Sequence, residues 1–213
     1  MIRRRPTARP HIPRHIPGYD LYLWIDSDAW LQDWQTVQTY LEAASRVGAA
    51  FTPEIDRSYL CFYDKGQGYQ WKYDCYDLAF GKETAERLAG FPLINSGVFA
   101  ATGKSPLWSN WQNALRSALQ RSQDFYVEQT AANFAIYGGT PCAMLPSTCN
   151  WHCSFGRPKL EAATGQLLSH LYPKTRIGIV HLCGGAKNAN PLTLDTDTGE
   201  TRVVDLRYPR WEE

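Results

Sequence analysis

The chain reads as alternating blocks of strand-like and helix-like hydrophobic pattern. Residues 20–25 are nearly all apolar up to Asp26, which predicts a strand. In "TVQTYLEAASRV" (36–47), Val37, Tyr40, Leu41 and Ala44 recur at helical spacing and Gly48 follows as a stop, predicting a helix packed on a sheet. Residues 50–80 are rich in Tyr, Asp and Gly and read as short strands joined by turns. "ETAERLAG" is a short helix ending at Gly90. "FPLINSGVFAATG" is a strand interrupted by a small polar patch at Asn95, Ser96 and Gly97.

"SPLWSNWQNALRSALQRS" (105–122) opens with Ser at a cap and Pro at the first helical position, the strongest helix signal in the chain. "DFYVEQTAANFAIYGG" predicts a further helix ending at Gly138 and Gly139. "IGIVHL" (177–182) reads as a buried strand running into "CGGAKN", and "LTLDTDTGETRVVDL" as a hairpin turning at Asp197–Gly199. Residues 1–18 hold four prolines and no period, so an extended arm is expected there, with 19–213 as a single domain. Helices alternating with strands predict an α/β layer fold, and no internal repeat is visible.

Composition narrows the function classes. Of 213 residues, 44% are hydrophobic and 20% charged, ordinary for a globular protein. The net charge is +1. Arg3, Arg4, Arg5, Arg9 and Arg14 lie in the first fourteen residues, which leaves 17 basic against 21 acidic residues elsewhere, a net of −4. A nucleic-acid binder is expected to show a basic domain, so that class is set aside. Six cysteines spread through a chain of this length read as buried free thiols rather than a disulfide scaffold. The arginines lack the apolar run of a signal peptide, and no stretch approaches a membrane span, so a soluble, cytoplasmic protein is expected.

Two constellations carry chemistry. Asp26 and Asp28 follow the first apolar strand. Side chains two apart on a strand share a face, so their like charges call for a cation. Hard oxygen donors at the carboxyl end of a strand suit Mg²⁺ or Mn²⁺ bridging to a phosphate, although solvated turn residues explain most Asp-x-Asp pairs. In "VHLCGGAK", His181 closes a strand, Gly184 and Gly185 allow close backbone approach, and Lys187 adds a positive charge, which together suit a third metal ligand and a diphosphate clamp. Between them Asn95 in an apolar strand needs hydrogen-bond partners, which a sugar could supply. Glu128 and Gln129 start a helix whose other side is apolar.

In order, the chain shows I-D-S-D-A-W, F-P-L-I-N-S-G-V-F, V-E-Q-T-A-A-N-F-A-I, N-W (Asn150, Trp151) and H-L-C-G-G-A-K. This ordered set resembles the A-type nucleotide-sugar glycosyltransferases, closest to family 8, the glycogenin and bacterial galactosyltransferase group. The resemblance spans about residues 20–188. It implies a mixed central sheet flanked by helices and transfer of a hexose from a UDP-sugar, with retention, to a saccharide, lipid or protein acceptor. It implies Mn²⁺ (or Mg²⁺) on Asp26, Asp28 and His181, and phosphates held by Gly184 and Lys187. Asn95 and Gln129 would contact the donor sugar, Ser96, Gly97, Asn150 and Trp151 would belong to the substrate side, and Glu128 with Gln129 would be the catalytic pair.

Two features depart from the family. Glu128 stands where an Asp is usual. The family also carries nucleotide-binding strands ahead of D-x-D, where 25 residues precede Asp26 here. A chain lacking those strands is expected to leave a sheet edge open to a second copy. Rival readings are a phosphohydrolase with Asp26 as nucleophile and Asp28 as acid, a zinc module on Cys149, His152 and Cys153, and a non-catalytic domain of the same fold that binds a sugar or a protein partner.

Overall fold

Residues 8–59, 67–187, 189 and 191–207 are described by the computed structural model. The expected extended arm is not extended where it is described. Arg9–His11 forms a 3-10 turn that runs into a short helix, α1 (Ile12–His15). Pro10 and Pro13 lie in first turns, where a missing N–H costs no hydrogen bond. Pro10 is buried, and its carbonyl accepts a hydrogen bond from Gln112 at 2.7 Å. The segment around Pro10 is thus pinned onto the body of the fold.

The chain continues through β1 (Leu21–Ile25), β2 (Ala29–Leu31), α2 (Trp34–Val47), β3 (Ala49–Pro53), α3 (Gln67–Phe80), α4 (Lys82–Leu88), β4 (Ile94–Thr102), α5 (Leu107–Leu119) and α6 (Val127–Tyr137). Short strands β5 (Ala143–Met144), β6 (Trp151–His152), β7 (Lys159–Leu160), β8 (Leu167–Leu168) and β9 (Ile179–His181) follow. A 3-10 turn over Gly184–Lys187 leads to β10 (Leu192–Asp195) and β11 (Thr201–Val204).

Local signals explain most of these elements. Asp33 caps α2 by accepting from the Gln35 N–H, and the helix buries Val37, Tyr40 and Ala44 as its spacing predicts. Gly48, at φ +108°, ends it in a backbone conformation that favours glycine. Ser105 accepts the Leu107 N–H at 3.2 Å to open α5. The tail hairpin pairs Asp195 with Thr201 around the expected turn.

The reading of 50–80 is corrected. β3 ends at Pro53 and the stretch from Gln67 is a fourteen-residue helix. Its apolar residues form no clean stripe, so the pattern hid it. What holds it is packing on neighbours: Phe80 stacks on Phe134 of α6 at 4.1 Å between ring centroids, and Tyr76 is buried with Leu88 of α4. Tertiary contact here outweighs a weak local preference.

The fold is mixed α/β, with helices flanking its sheets. The main sheet runs β1-β4-β3-β5, antiparallel except for the parallel β3–β5 pair, so β1 and β5 are its edges. Alternate side chains serve two cores. Ala49, Phe51, Phe99 and Ala101 face α5 and α6, while Ala50, Val98 and Ala100 face α2. A second sheet, β2-β9-β6, has its own core around Trp151, Tyr59 and Ile177. β1 belongs to the first sheet and β2 to the second, so the turn joining them crosses the seam. Among the described residues no helix is long and apolar enough to cross a membrane.

Candidate active site

Asp26 and Asp28 lie in that seam. β1 stops at Ile25, so they are not same-face neighbours on one strand as expected; they converge because the chain turns between two sheets. The turn is fixed by backbone bonds. The Asp26 N–H donates to Gly97 O at 2.8 Å, Ala29 N–H to Asp26 O at 2.9 Å, and Leu182 N–H to Asp28 O at 2.9 Å. The last bond, with Ala29 paired to His181 across β2 and β9, brings the "IDSD" and "VHLCGGAK" segments together. One ligand atom from each of Asp26, Asp28 and His181 lies within 4.8 Å of the others. They line a cleft of about 680 Å³ together with Asn95, Ser96, Gly97, Glu128, Gln129, Gly184, Gly185 and Lys187.

His181 is held by a chain of amides whose direction can be deduced from one backbone group. The Gly97 N–H donates to Asn95 Oδ1 at 2.8 Å, so the Asn95 NH₂ must face Glu54, to which it donates at 2.6 Å. Asn95 Oδ1 also accepts from the Asn150 NH₂ at 3.1 Å, which turns the Asn150 oxygen toward His181 Nδ1, 2.9 Å away. Nδ1 therefore carries a proton, so Nε2, 3.4 Å from Asp28 Oδ1, is the ring nitrogen that donates to Asp28 when the imidazole is protonated and offers a lone pair when it is neutral. Two lone pairs facing each other repel until a proton or cation lies between them. Two carboxylates and one such imidazole are a donor set that could hold a divalent metal ion.

Lys187 Nζ sits 2.5 Å from Asp28 Oδ2. Burial works against the charged form of Asp28, yet hydrogen bonds from His181 and Lys187 hold its carboxyl well below the usual range. Space in the seam depends on Gly97. A Cβ there would fall 2.4 Å from His181 Cε1 and 2.9 Å from Asp26 Oδ2.

Arg9 was missed by sequence reasoning. Its Nη2 bonds both Asp26 oxygens, at 2.6 and 2.7 Å, and its Nη1 bonds Glu128 Oε1 at 3.0 Å. The guanidinium also lies 5.4 Å from the Trp24 ring centroid, and Trp24 Nε1–H donates to Asp26 Oδ1 at 2.6 Å. Burial opposes its charge, but Glu128 and Asp26 more than restore it. Glu128 is almost wholly buried, and burial pushes its carboxyl up to about 7 against the pull of Arg9. One arginine of five in a proline-rich stretch carries no sequence signal for this role.

Gln129 Oε1 accepts from both the N–H and the hydroxyl of Ser96 at 3.2 Å, so its amide NH₂ is the group left for a ligand. Asn95 is largely consumed by the relay, with one N–H remaining. Asn150 acts through His181 and does not line the cleft. Trp151 is a correction: it is fully buried in the second core, its Nε1–H donating to Gly156 O at 2.7 Å, and it faces no ligand space.

Gly184 takes φ +63° beside Ser154, whose hydroxyl bonds Cys183 O and accepts the Ala186 N–H, shaping the 3-10 turn that presents Lys187. Both oxygens of Asp26 are engaged by Arg9, an ion pair that must open before Asp26 holds a metal or attacks a phosphate. One rival falls. Among the described residues Cys149, His152 and Cys153 form no ligand cluster; Cys149 packs in the core under α2 and Cys153 in the other core.

A scan for protein families and a search of curated proteins each match nothing. Among solved structures the chain is similar to the galactosyltransferase LgtC in complex with donor and acceptor sugar analogs, at 14% identity and a TM-score of 0.46, covering 84% of this chain and 58% of that one. It is also similar to a glutamine-to-glutamate active-site mutant of LgtC, at 14% identity and a TM-score of 0.45, covering 85% and 63%. The chain spans less than two thirds of the length of both.

Proposed function

We propose that this chain is a metal-dependent glycosyltransferase that moves a hexose from a UDP-sugar to an acceptor hydroxyl, with retention. The observation that carries the reading is the convergence of Asp26, Asp28 and His181 with Lys187 at one end of a cleft large enough for a sugar. Mn²⁺ or Mg²⁺ held by Asp26, Asp28 and His181 would supply Lewis-acid stabilisation of charge on the departing diphosphate.

The chain's own groups divide the rest of the work. Lys187, half-exposed, offers a second positive charge to the same phosphates. The Gln129 amide and the remaining N–H of Asn95 would bond donor-sugar hydroxyls, beside the Arg9–Glu128 pair that lines the same cleft. In the transfer, the bond from the anomeric carbon to the diphosphate oxygen breaks and its electron pair leaves with UDP. The acceptor oxygen bonds that carbon, and its proton passes to the leaving phosphate oxygen.

Asp28→Asn tests the reading, because it removes a charged ligand and the partner of Lys187. Calorimetry with UDP-glucose and UDP-galactose, with and without Mn²⁺, is expected to show metal-dependent binding in the wild type that the variant loses. Equal affinity in both refutes the proposal. A second reading, a domain that binds a sugar or a protein partner without transfer, draws on Arg9, whose guanidinium occupies both oxygens of Asp26 and bonds Glu128. Binding of UDP-sugar with no turnover against any acceptor favours it.

A further inference from the structure

Residues 9–22 lie along one stripe of α5. Trp108, Gln112 and Arg116 are spaced four apart, so they share a face of that helix. Trp108 stands edge-on to Tyr22 at 5.8 Å between ring centroids, the Gln112 amide donates to Pro10 O at 2.7 Å, and the charge of Arg116 acts on His11. Tyr22 also donates its hydroxyl to Ile16 O at 2.8 Å and stands edge-on to Tyr19 at 5.9 Å. The segment is held at both ends, so its outer side is a fixed surface.

That side is cationic and apolar at once. Arg14, His15, Lys104 and Arg116 are exposed, and no ion pair among the described residues involves any of them. Residues 9–22 hold a single acid, Asp20, and Arg3, Arg4 and Arg5 precede them in the sequence. Burial and the charges of His15, Arg14 and Arg116 hold His11 below its ordinary value, a sign of how closely the cations crowd. Among them Ile16 is 56% exposed and Tyr19 is 62% exposed. Gly103, next to Lys104, lies against Tyr19, since a Cβ there would fall 2.5 Å from Tyr19 O. One exposed apolar residue is ordinary, but two of them set three positions apart among unpaired cations call for an occupant that suits both.

We propose that this face docks on an anionic phospholipid bilayer. Cations gain from the negative potential of such a surface, and the gain accumulates over several residues. Ile16 and the Tyr19 ring enter the headgroup boundary, where an apolar body is buried and a phenol hydroxyl stays wet. A nucleic acid would reward the cations alone and give the aliphatic Ile16 nothing to pack on. The same stretch carries Arg9 into the cleft, so docking would hold the candidate site beside the bilayer. The proposal is independent of the transferase reading.

The test is co-sedimentation of the full chain with sucrose-loaded vesicles of phosphatidylcholine, alone or mixed with phosphatidylglycerol. The wild type is expected to bind the mixed vesicles only and to leave them as salt rises, because screening weakens the attraction. Arg14→Glu with Arg116→Glu, and separately Ile16→Ser with Tyr19→Ser, are each expected to weaken binding about tenfold or more. All four side chains are exposed, so melting followed by circular dichroism should match the wild type. Equal binding to neutral vesicles, or binding that either double substitution leaves unchanged, overturns the proposal. Heparin bound without any vesicle binding marks a site for polyanions and overturns it as well.

Discussion

At the scale of single residues, the metal-binding potential of His181 is set by groups that touch no metal. Asn150 fixes which ring nitrogen is protonated, and the Gly97 N–H fixes which way Asn95 and hence Asn150 point. Replacing an orienting partner of this kind ordinarily costs about 10–100-fold in metal affinity. Asn150→Leu is therefore expected to weaken Mn²⁺ binding by about that factor while the fold persists, since Asn95 Oδ1 keeps its bond from Gly97. Electron paramagnetic resonance of free Mn²⁺ during titration measures it. An unchanged affinity would show that His181 is oriented by packing alone. Arg9 belongs at this scale too: one guanidinium bridges Asp26 and a buried Glu128 and offsets their mutual repulsion.

At the scale of elements, β4 and α6 carry the Asn95–Gly97 and Glu128–Gln129 side of the site between them, and one side chain locks them together. Asn133 is fully buried; its Oδ1 accepts the Ile94 N–H at 2.7 Å and its NH₂ donates to Ile94 O and to Gln129 O, both at 2.8 Å. The first turn of α6, with Glu128 and Gln129, is thereby registered against the polar patch of β4. Asn133→Leu would leave a buried N–H and carbonyl unpaired, which costs about 2–4 kcal/mol. Urea unfolding is expected to show a loss of that size, and UDP-sugar affinity to fall with it. A variant as stable as the wild type would mean that Ile94 finds other partners.

At the scale of the whole molecule, buried titratable groups set the response to pH. Burial pushes Glu54 up to about 7, opposed by its bond from Asn95, and pushes Glu128 up to about 7 as well. Burial and the nearby His181 bring His152 down to about 3. Between about pH 4.5 and 6.5 the native state thus holds two protons that unfolded carboxyls have released and lacks one that unfolded histidine retains. Above that only the carboxyl excess remains, until about 7.

A native excess of bound protons means that the unfolding free energy falls as pH rises, by on the order of 3 kcal/mol from pH 5 to 8. The depressed carboxyl of Asp28 acts in a different window: its stabilisation is present above the ordinary aspartate range and is lost only as the solution becomes more acid than that. Urea denaturation across pH 5–8 checks the first window, and the double substitution Glu54→Gln, Glu128→Gln is expected to reverse its sign, because only the proton deficit at His152 then remains. Wild-type stability that climbs toward pH 8 contradicts the assignment. The expected pairing of two copies along an open sheet edge would involve β1 or β5, the outer strands of the main sheet, and light scattering of the chain tests it.

Local pattern was enough for α2, α5, α6, β4, β9 and the tail hairpin, because periodicity, a cap and a terminal glycine act within a few residues of one another. The order of short motifs was also enough to bring Asp26, Asp28, His181 and Lys187 under one hypothesis, since each motif is contiguous. Tertiary structure decided the rest. It chose helix for 67–80, where the apolar residues face neighbours rather than forming a stripe, and it folded residues 9–15 onto α5. It sent Trp151 to the core instead of the cleft, and placed Arg9 against Glu128, 119 positions away. Such choices depend on which distant groups a segment meets, and the free energy of burying and pairing a charge exists only once both partners are in place.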